Sequence, residues 1–385
     1  MPTSWARQWG QAARSTHAGL HPEWACTLPP FRVQAGVLRE AKPLDGADPD
    51  GEKFEDEVKT MVDFLDVEQA TARLEGRLRR TQVTFDRLLG EQCGAVICVK
   101  WENHQITGSF KVRGALNAVL SLPEERRKNG VTCSSSGNHG LGVCYASREA
   151  SIPAVVCVPN YASPKKIAAM RELGAEVRVL DGPYSMAEAT AIRLAQETGA
   201  AFISPYNDPC VVAGQGTLVR EWLDQVPDLN VIVLPVGGAG LSGGVGLALK
   251  ALCPTSCLYG VSTEGSAFVH ANWHGRSMEA LEVVPNLADG ITGRVDPASI
   301  TLPLARRLMD GFVLVNDDEI ARAVAYCFDR HNQVVEGAAA VGLAALLAGK
   351  LEISGRTAGV LITGGNIAPE THQGILRRGR LSECP

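Results

Sequence analysis

No Cys-x-x-Cys pair occurs among the 11 cysteines, so the usual zinc-ribbon and redox signatures are missing. Cys253 and Cys257, in CPTSC, lack the second pair that a structural metal site needs. The odd count, scattered through apolar runs, reads as buried free thiols of a reducing compartment rather than a disulfide framework. No stretch reaches the ~18 apolar residues of a membrane-spanning helix. There is no basic excess either: 37 Lys plus Arg against 42 Asp plus Glu give a net charge of −5, which offers no electrostatic reason for a nucleic-acid partner. The 40 glycines follow no fixed period, which excludes collagen-like and repeat architectures.

What is present is an ordinary globular composition, 45% hydrophobic and 21% charged over 385 residues. That excludes disorder for the bulk of the chain and suggests two or three folding units, or one large α/β body with a subdomain. Residues 1–62 stand apart. They hold Trp5, Trp9 and Trp24, an acidic stretch from Asp45 to Glu57, and no lasting period of 2 or 3.6. Their first 22 residues carry Arg7 and Arg14 but no acid, a composition shared by transit peptides, bacterial leaders and misplaced starts. We read 1–62 as a partly irregular extension with a helix beginning near Glu55.

From residue 63 onward, short β-branched runs alternate with Ala/Leu-rich helical stretches. The strands expected are AVICVK, GVTCSS, PAVVCVP, EVRVL, AFISP, NVIVLPV, CLYGVS, GFVLV and GVLIT. Such alternation means βαβ units and mostly parallel sheets covered on both faces, with sites at the C-terminal strand ends.

Four strand-end segments carry chemistry. In QITGSFKVRGA, Lys111 follows a turn and Phe110 and opens an apolar helix; burial there would lower its pKa and make the amine a nucleophile. In SSSGNHG, a strand runs through Ser135, Ser136, Asn138 and His139 into a helix, a cradle for a carboxylate or phosphate or an ordinary N-cap turn. In VGGAGL, an apolar strand meets Gly237, Gly238, Ala239, Gly240 and Leu241 before a helix. That is a phosphate cup without the Gly-Lys-Ser/Thr of a Walker loop. In TGGN, Thr363 places a hydroxyl at a strand end.

These segments, with LADGI at 287–291, DDEI at 317–320 and EGAAA at 336–340, follow one order along the chain. In that order they resemble the serine/threonine dehydratases, among the fold type II (tryptophan-synthase-β-like) pyridoxal-phosphate enzymes. The resemblance spans about residues 63–370. It implies an α/β fold of two open, mostly parallel twisted sheets flanked by helices, with a small domain inserted in a large one. The expected division is 63–129 with 208–375 for the large cofactor-binding domain, 130–207 for the small mobile domain, and 376–385 as a tail.

The resemblance also implies the roles. Lys111 would carry pyridoxal 5'-phosphate as a Schiff base and later take the substrate's α-proton. Residues 237–241 would hold the cofactor phosphate, Asn138 its ring hydroxyl, Thr363 its pyridine nitrogen, and Phe110 would pack against the ring. Ser135, Ser136 and His139 would grip the substrate carboxylate. Relatives commonly have Ser or Cys at the Thr363 position; a hydroxyl there leaves the ring nitrogen unprotonated, a weaker electron sink suited to elimination. Ser136, commonly Ala in threonine dehydratases, resembles the acid/base of serine racemases and hydroxyaspartate dehydratases. Several relatives bind a divalent cation (Mg or Ca) through an acid matching Glu264 and another six positions on, where His270 stands here, with His274 beyond.

The expected activity is elimination of water from threonine, serine or 3-hydroxyaspartate to a 2-keto acid and ammonia. The alternatives are an amino-acid racemase, a β-replacement enzyme, or a non-catalytic cofactor-binding regulatory protein. The expected partners are a small amino-acid substrate and a second copy in a homodimer, with no nucleic acid and no membrane; the expected location is cytoplasmic. Few residues follow Asn366, so the resemblance implies no C-terminal amino-acid-sensing domain. Arg276, beside Trp273, would either be solvated or pair with a second substrate carboxylate.

Overall fold

A computed structural model describes residues 62–381; the helix expected near Glu55 and the irregular extension lie outside them. Two sheets organise the chain. One has six strands in the order β1-β2-β10-β7-β8-β9 and the other four in the order β5-β4-β3-β6. All pairings are parallel except β1 with β2.

The chain enters through α1 (Phe64–Leu74), β1 (Val83–Phe85), α2 (Arg87–Cys93), β2 (Val96–Trp101), α3 (Lys111–Ser121) and α4 (Glu124–Arg127). It then builds the small sheet: β3 (Val131–Ser134), α5 (Asn138–Glu149), β4 (Ala154–Pro159), α6 (Pro164–Glu172), β5 (Glu176–Leu180), α7 (Tyr184–Thr198) and β6 (Ala201–Phe202). It returns through α8 (Pro209–Gln225), β7 (Val231–Pro235), α9 (Gly240–Leu252), β8 (Cys257–Thr263), α10 (Phe268–Trp273) and α11 (Thr301–Leu308). It ends with β9 (Gly311–Val315), α12 (Asp317–His331), α13 (Gly337–Leu347), β10 (Thr357–Ile362) and α14 (Pro369–Leu381).

The nine expected strands are all formed. β1 was not foreseen, because three residues give no period to read, and it pairs antiparallel at the sheet's edge. β7 is buried at every position, as a parallel strand covered on both faces must be. One apolar cluster lies on each face of the large sheet and a third fills the small one. α13, GAAAVGLAALL, is buried from Gly337 to Leu346, the condition of a helix apolar on every side. Every described cysteine is free, and no described helix is long and apolar enough to cross a membrane.

A buried charge network underlies α3. Arg113 makes a two-pronged pair with Glu102, its Nε and Nη2 each 2.7 Å from a carboxylate oxygen, and Nη2 also donates to Glu221 at 2.8 Å. Lys100 donates to Glu221, to Gln225 at 2.8 Å and to the Thr81 carbonyl at 2.9 Å. Two cations face two anions with almost no solvent, so each charge keeps its partner. The network clamps β2, α3 and α8 together and fixes where the first residue of α3 points.

Candidate active site

The parallel strands bring the four segments to one end of the molecule. β2 leads through residues 102–110 to Lys111, β3 to Ser135 and Ser136, β7 to Gly237, and β10 to Thr363. The register that pairs Leu361 with Lys100 and Ile362 with Trp101 puts the ends of β2 and β10 side by side. A bridge between Ser109 and Gly364 continues that contact. The amide of Phe110 donates to the Thr363 carbonyl at 3.0 Å and that of Gly365 to the Gly108 carbonyl at 3.0 Å. Gly108 has a φ of +75°, and a Cβ there would lie 2.4 Å from Asn366 Oδ1, so only glycine makes this turn without strain.

Lys111 is the first residue of α3. Its Nζ donates to the Pro205 carbonyl at 2.8 Å and lies 5.3 Å from the centre of the Phe110 ring. Burial pulls the amine down to about 8, against the Glu336 carboxyl, which holds it up. The amine is therefore far easier to deprotonate than an exposed lysine.

The serine loop faces this amine from the small sheet. Ser135 Oγ accepts from the Gly137 amide at 3.2 Å. Ser136 is half-buried and has no hydrogen-bond partner among the described residues. Asn138, at the start of α5, donates to Glu336 Oε1 at 2.6 Å and accepts from Asn366 Nδ2 at 2.8 Å. His139 is buried, and its Nε2 donates to the Ile203 carbonyl at 2.9 Å. Burial first, then the charge of Lys111, push this imidazole down to about 3, so it stays neutral with Nδ1 as an unpartnered buried acceptor. The imidazole ties α5 to the end of β6.

The glycine turn closes the third side. Ala239 takes φ +61°, and the first amides of α9 have no carbonyl one turn back. A Cβ on Gly237 would lie 3.0 Å from Ile291 Cα, and one on Gly238 only 2.4 Å from the Tyr206 ring. Thr301 Oγ1 occupies the Gly238 carbonyl at 2.7 Å, turning that peptide's amide edge the other way. Such a turn has the backbone geometry that can cradle an anion.

These features fit pyridoxal phosphate: an amine of lowered pKa, a glycine cradle at a helix start, and unpartnered buried polar atoms at Ser109 Oγ, Ser134 Oγ and Thr107 Oγ1. They do not fit a metal. Glu264 is exposed at the end of β8, and Arg276 Nη2 stands 3.3 Å from His270 Nδ1. Burial, then the charges of His274 and Arg276, push His270 down to about 4. Among the described residues no group of three His, Cys, Asp or Glu could hold an ion. An imidazole where a second carboxylate was needed, with a guanidinium against it, is the physical reason.

Residues 74–364 match the family described as "Pyridoxal-phosphate dependent enzyme". The chain belongs to this pyridoxal-phosphate-dependent family. It is 40% identical over 319 residues to L-threonine ammonia-lyase of Thermotoga maritima, covering 83% of this chain and 79% of that one. It is 36% identical to L-threo-3-hydroxyaspartate ammonia-lyase of Pseudomonas sp, covering 82% and 98%. The solved serine racemase of Dictyostelium discoideum superposes with a TM-score of 0.74 at 32% identity, covering 80% of this chain and 99% of that one. The fold of the family is thus the fold described above.

Two residues of this family member's site escaped the sequence reading. Glu336 was visible only as part of EGAAA, and its side chain reaches the site because it stands just before α13. Tyr206 follows β6 and packs against Gly238; nothing in its neighbourhood SPYND marked it.

Proposed function

We propose that this chain is a pyridoxal-phosphate-dependent ammonia-lyase. It removes water from a β-hydroxy amino acid of the threonine, serine or 3-hydroxyaspartate type and yields a 2-keto acid and ammonia. The observation that carries the reading is the Lys111 amine at the head of α3, with a pKa near 8, between the serine loop and the glycine turn. The ammonia-lyase names of relatives at 34–40% identity support it.

When bound, the cofactor supplies the electron sink that stabilises negative charge at the substrate's Cα. The residues supply aim and proton handling. The amides of the Gly237–Leu241 turn would hold the phosphate, Asn138 the ring oxygen and Thr363 the ring nitrogen, with Phe110 beside the ring. Ser135 and Ser136 orient the substrate carboxylate, and His139 braces that loop from behind. Lys111 would take the α-proton as general base. The α-proton and the β-hydroxyl would leave together as water, and hydrolysis of the resulting enamine would give the keto acid and ammonia.

In this proposal residues 63–129 and 208–375 form the cofactor-binding domain and 130–207 the small mobile one. A homodimer in the cytoplasm belongs to the same reading, supported for the reducing setting by the free thiols. No step uses a divalent cation, since Glu264 and His270 do not make a donor set.

A panel of amino acids with keto-acid detection, run with and without magnesium, tests the assignment. Keto acid from at least one of threonine, serine and 3-hydroxyaspartate is expected; none from the whole panel overturns it. A second reading, racemisation, is favoured by the unpartnered Ser136 hydroxyl and by the likeness to serine racemase. Chiral chromatography of the recovered substrate decides between them.

A further inference from the structure

Glu336 takes no part in the steps above, yet the residue is only 7% exposed and its carboxyl sits against Asn138. Its Oε1 accepts from Asn138 Nδ2 at 2.6 Å and lies 2.5 Å from where a Cβ on Gly364 would stand. Asn138 Oδ1 receives Asn366 Nδ2 at 2.8 Å, and the same nitrogen donates to the Thr107 carbonyl at 2.8 Å. Turning the Asn138 amide over would set oxygen against the Glu336 oxygen and N–H against the Asn366 N–H. The carboxyl and Asn366 therefore dictate which way that amide points.

The charges facing Glu336 come from three elements: Asp289 from the loop before α11, Lys166 from α6 and Lys111 from α3. We propose that Glu336 is a positioning residue that turns the Asn138 amide and supplies the negative charge by which the Lys111 nitrogen keeps a proton. The proposal rests on the reading of Lys111 as the cofactor's anchor. Burial and Asp289 push the Glu336 carboxyl up to about 7, against the Asn138 hydrogen bond and the lysine charges. Lys111 comes down to about 8. The two groups titrate in neighbouring ranges, so the charge on one shifts the other.

The test is competitive acetylation of Lys111 in the full-length chain, stripped of cofactor, from pH 6 to 10 with peptide mass spectrometry. The wild-type midpoint is expected near 8. In Glu336→Gln, which keeps the size and the acceptor but not the charge, it falls by about one unit, a tenfold loss of proton affinity. An unchanged midpoint in that variant, or a wild-type midpoint above 10, overturns the proposal. Should Glu336→Gln not fold, Glu336→Asp keeps the charge and is expected within about half a unit of wild type; a larger displacement overturns it too. Pyridoxal phosphate is then added back to each protein. A chain that never develops the cofactor's visible band fails the anchor reading, while the acetylation midpoints still judge Glu336 separately.

Discussion

Lys111 Nζ and the Pro205 carbonyl meet at 2.8 Å, a bond from the head of α3 to the segment leaving the small sheet. The amine's one fixed acceptor is a neutral carbonyl, and no carboxylate bonds it directly. That is why burial outweighs Glu336 and the amine is held near 8.

Lys111→Arg separates charge from reactivity. The guanidinium still donates hydrogen bonds but never loses its proton at ordinary pH. The variant is expected to fold, to leave no borohydride-fixed cofactor on the peptide carrying position 111, and to lose at least about a thousandfold in turnover. Mass spectrometry and keto-acid assay read the two effects; a fixed label on that peptide would contradict the assignment.

Glu336 gives the fold a pH dependence of stated sign. Its carboxyl is pushed up from 4.5 to about 7 in the folded chain. Between those values the native state binds more proton than the unfolded state. The contribution is complete below 4.5 and lost as pH rises through 7. In urea melts of the cofactor-free protein, Glu336→Gln should gain on wild type from pH 5 to 7, by at most about 1.4 kcal/mol per unit. Parallel curves would show that the carboxyl is not held protonated.

Gly238 sits where side-chain volume cannot go. A Cβ there would stand 2.4 Å from Cγ of the Tyr206 ring, so Gly238→Ala must displace the ring or the turn. Overpacking of this kind costs about 1–3 kcal/mol, here charged to a turn proposed to hold phosphate. Absorbance titration with pyridoxal phosphate should report roughly ten- to hundredfold weaker binding. Unchanged affinity would take the turn out of the cofactor site.

Nine strands were legible because buried parallel strands spell continuous β-branched runs, as VIVLP does in β7. The four strand-end motifs were legible because each couples a turn residue to a helix start. Contacts made across sequence were not. Nothing near Glu336 announces Asn138, 198 positions away, and Tyr206 meets Gly238 only after the small sheet has been inserted and closed. The cation expectation rested on the resemblance and on Glu264, and Arg276 beside His270 is a neighbour that neither reports.

Ser136→Ala distinguishes two uses of one hydroxyl. If Ser136 only orients the substrate carboxylate, elimination slows through a higher KM and recovered serine keeps its handedness. If the hydroxyl carries a proton on the face opposite Lys111, racemisation measured on wild type disappears while elimination persists. Chiral chromatography of both proteins separates the outcomes. Equal racemisation before and after the change excludes the proton-carrying role.

The charge network beneath α3 makes the last prediction. Arg113 is 2% exposed, Glu102 and Lys100 fully buried, so removing one member strands another without solvent. Glu102→Ala leaves Arg113 with Glu221 as its one carboxylate partner, beside the Thr217 hydroxyl at 3.5 Å, and strips the acceptor from Thr81 Oγ1, now 2.6 Å from Glu102 Oε1. Breaking such a pair costs about 3–5 kcal/mol, a large part of a domain's net stability of about 5–15 kcal/mol. Replacing Arg113 and Glu102 together by Met and Leu removes the orphaned charge, so the double variant is expected to be more stable than Glu102→Ala. Urea midpoints of the three proteins read the difference. Equal loss in the single and double variants would mean that shape, rather than uncompensated charge, governs this part of the core.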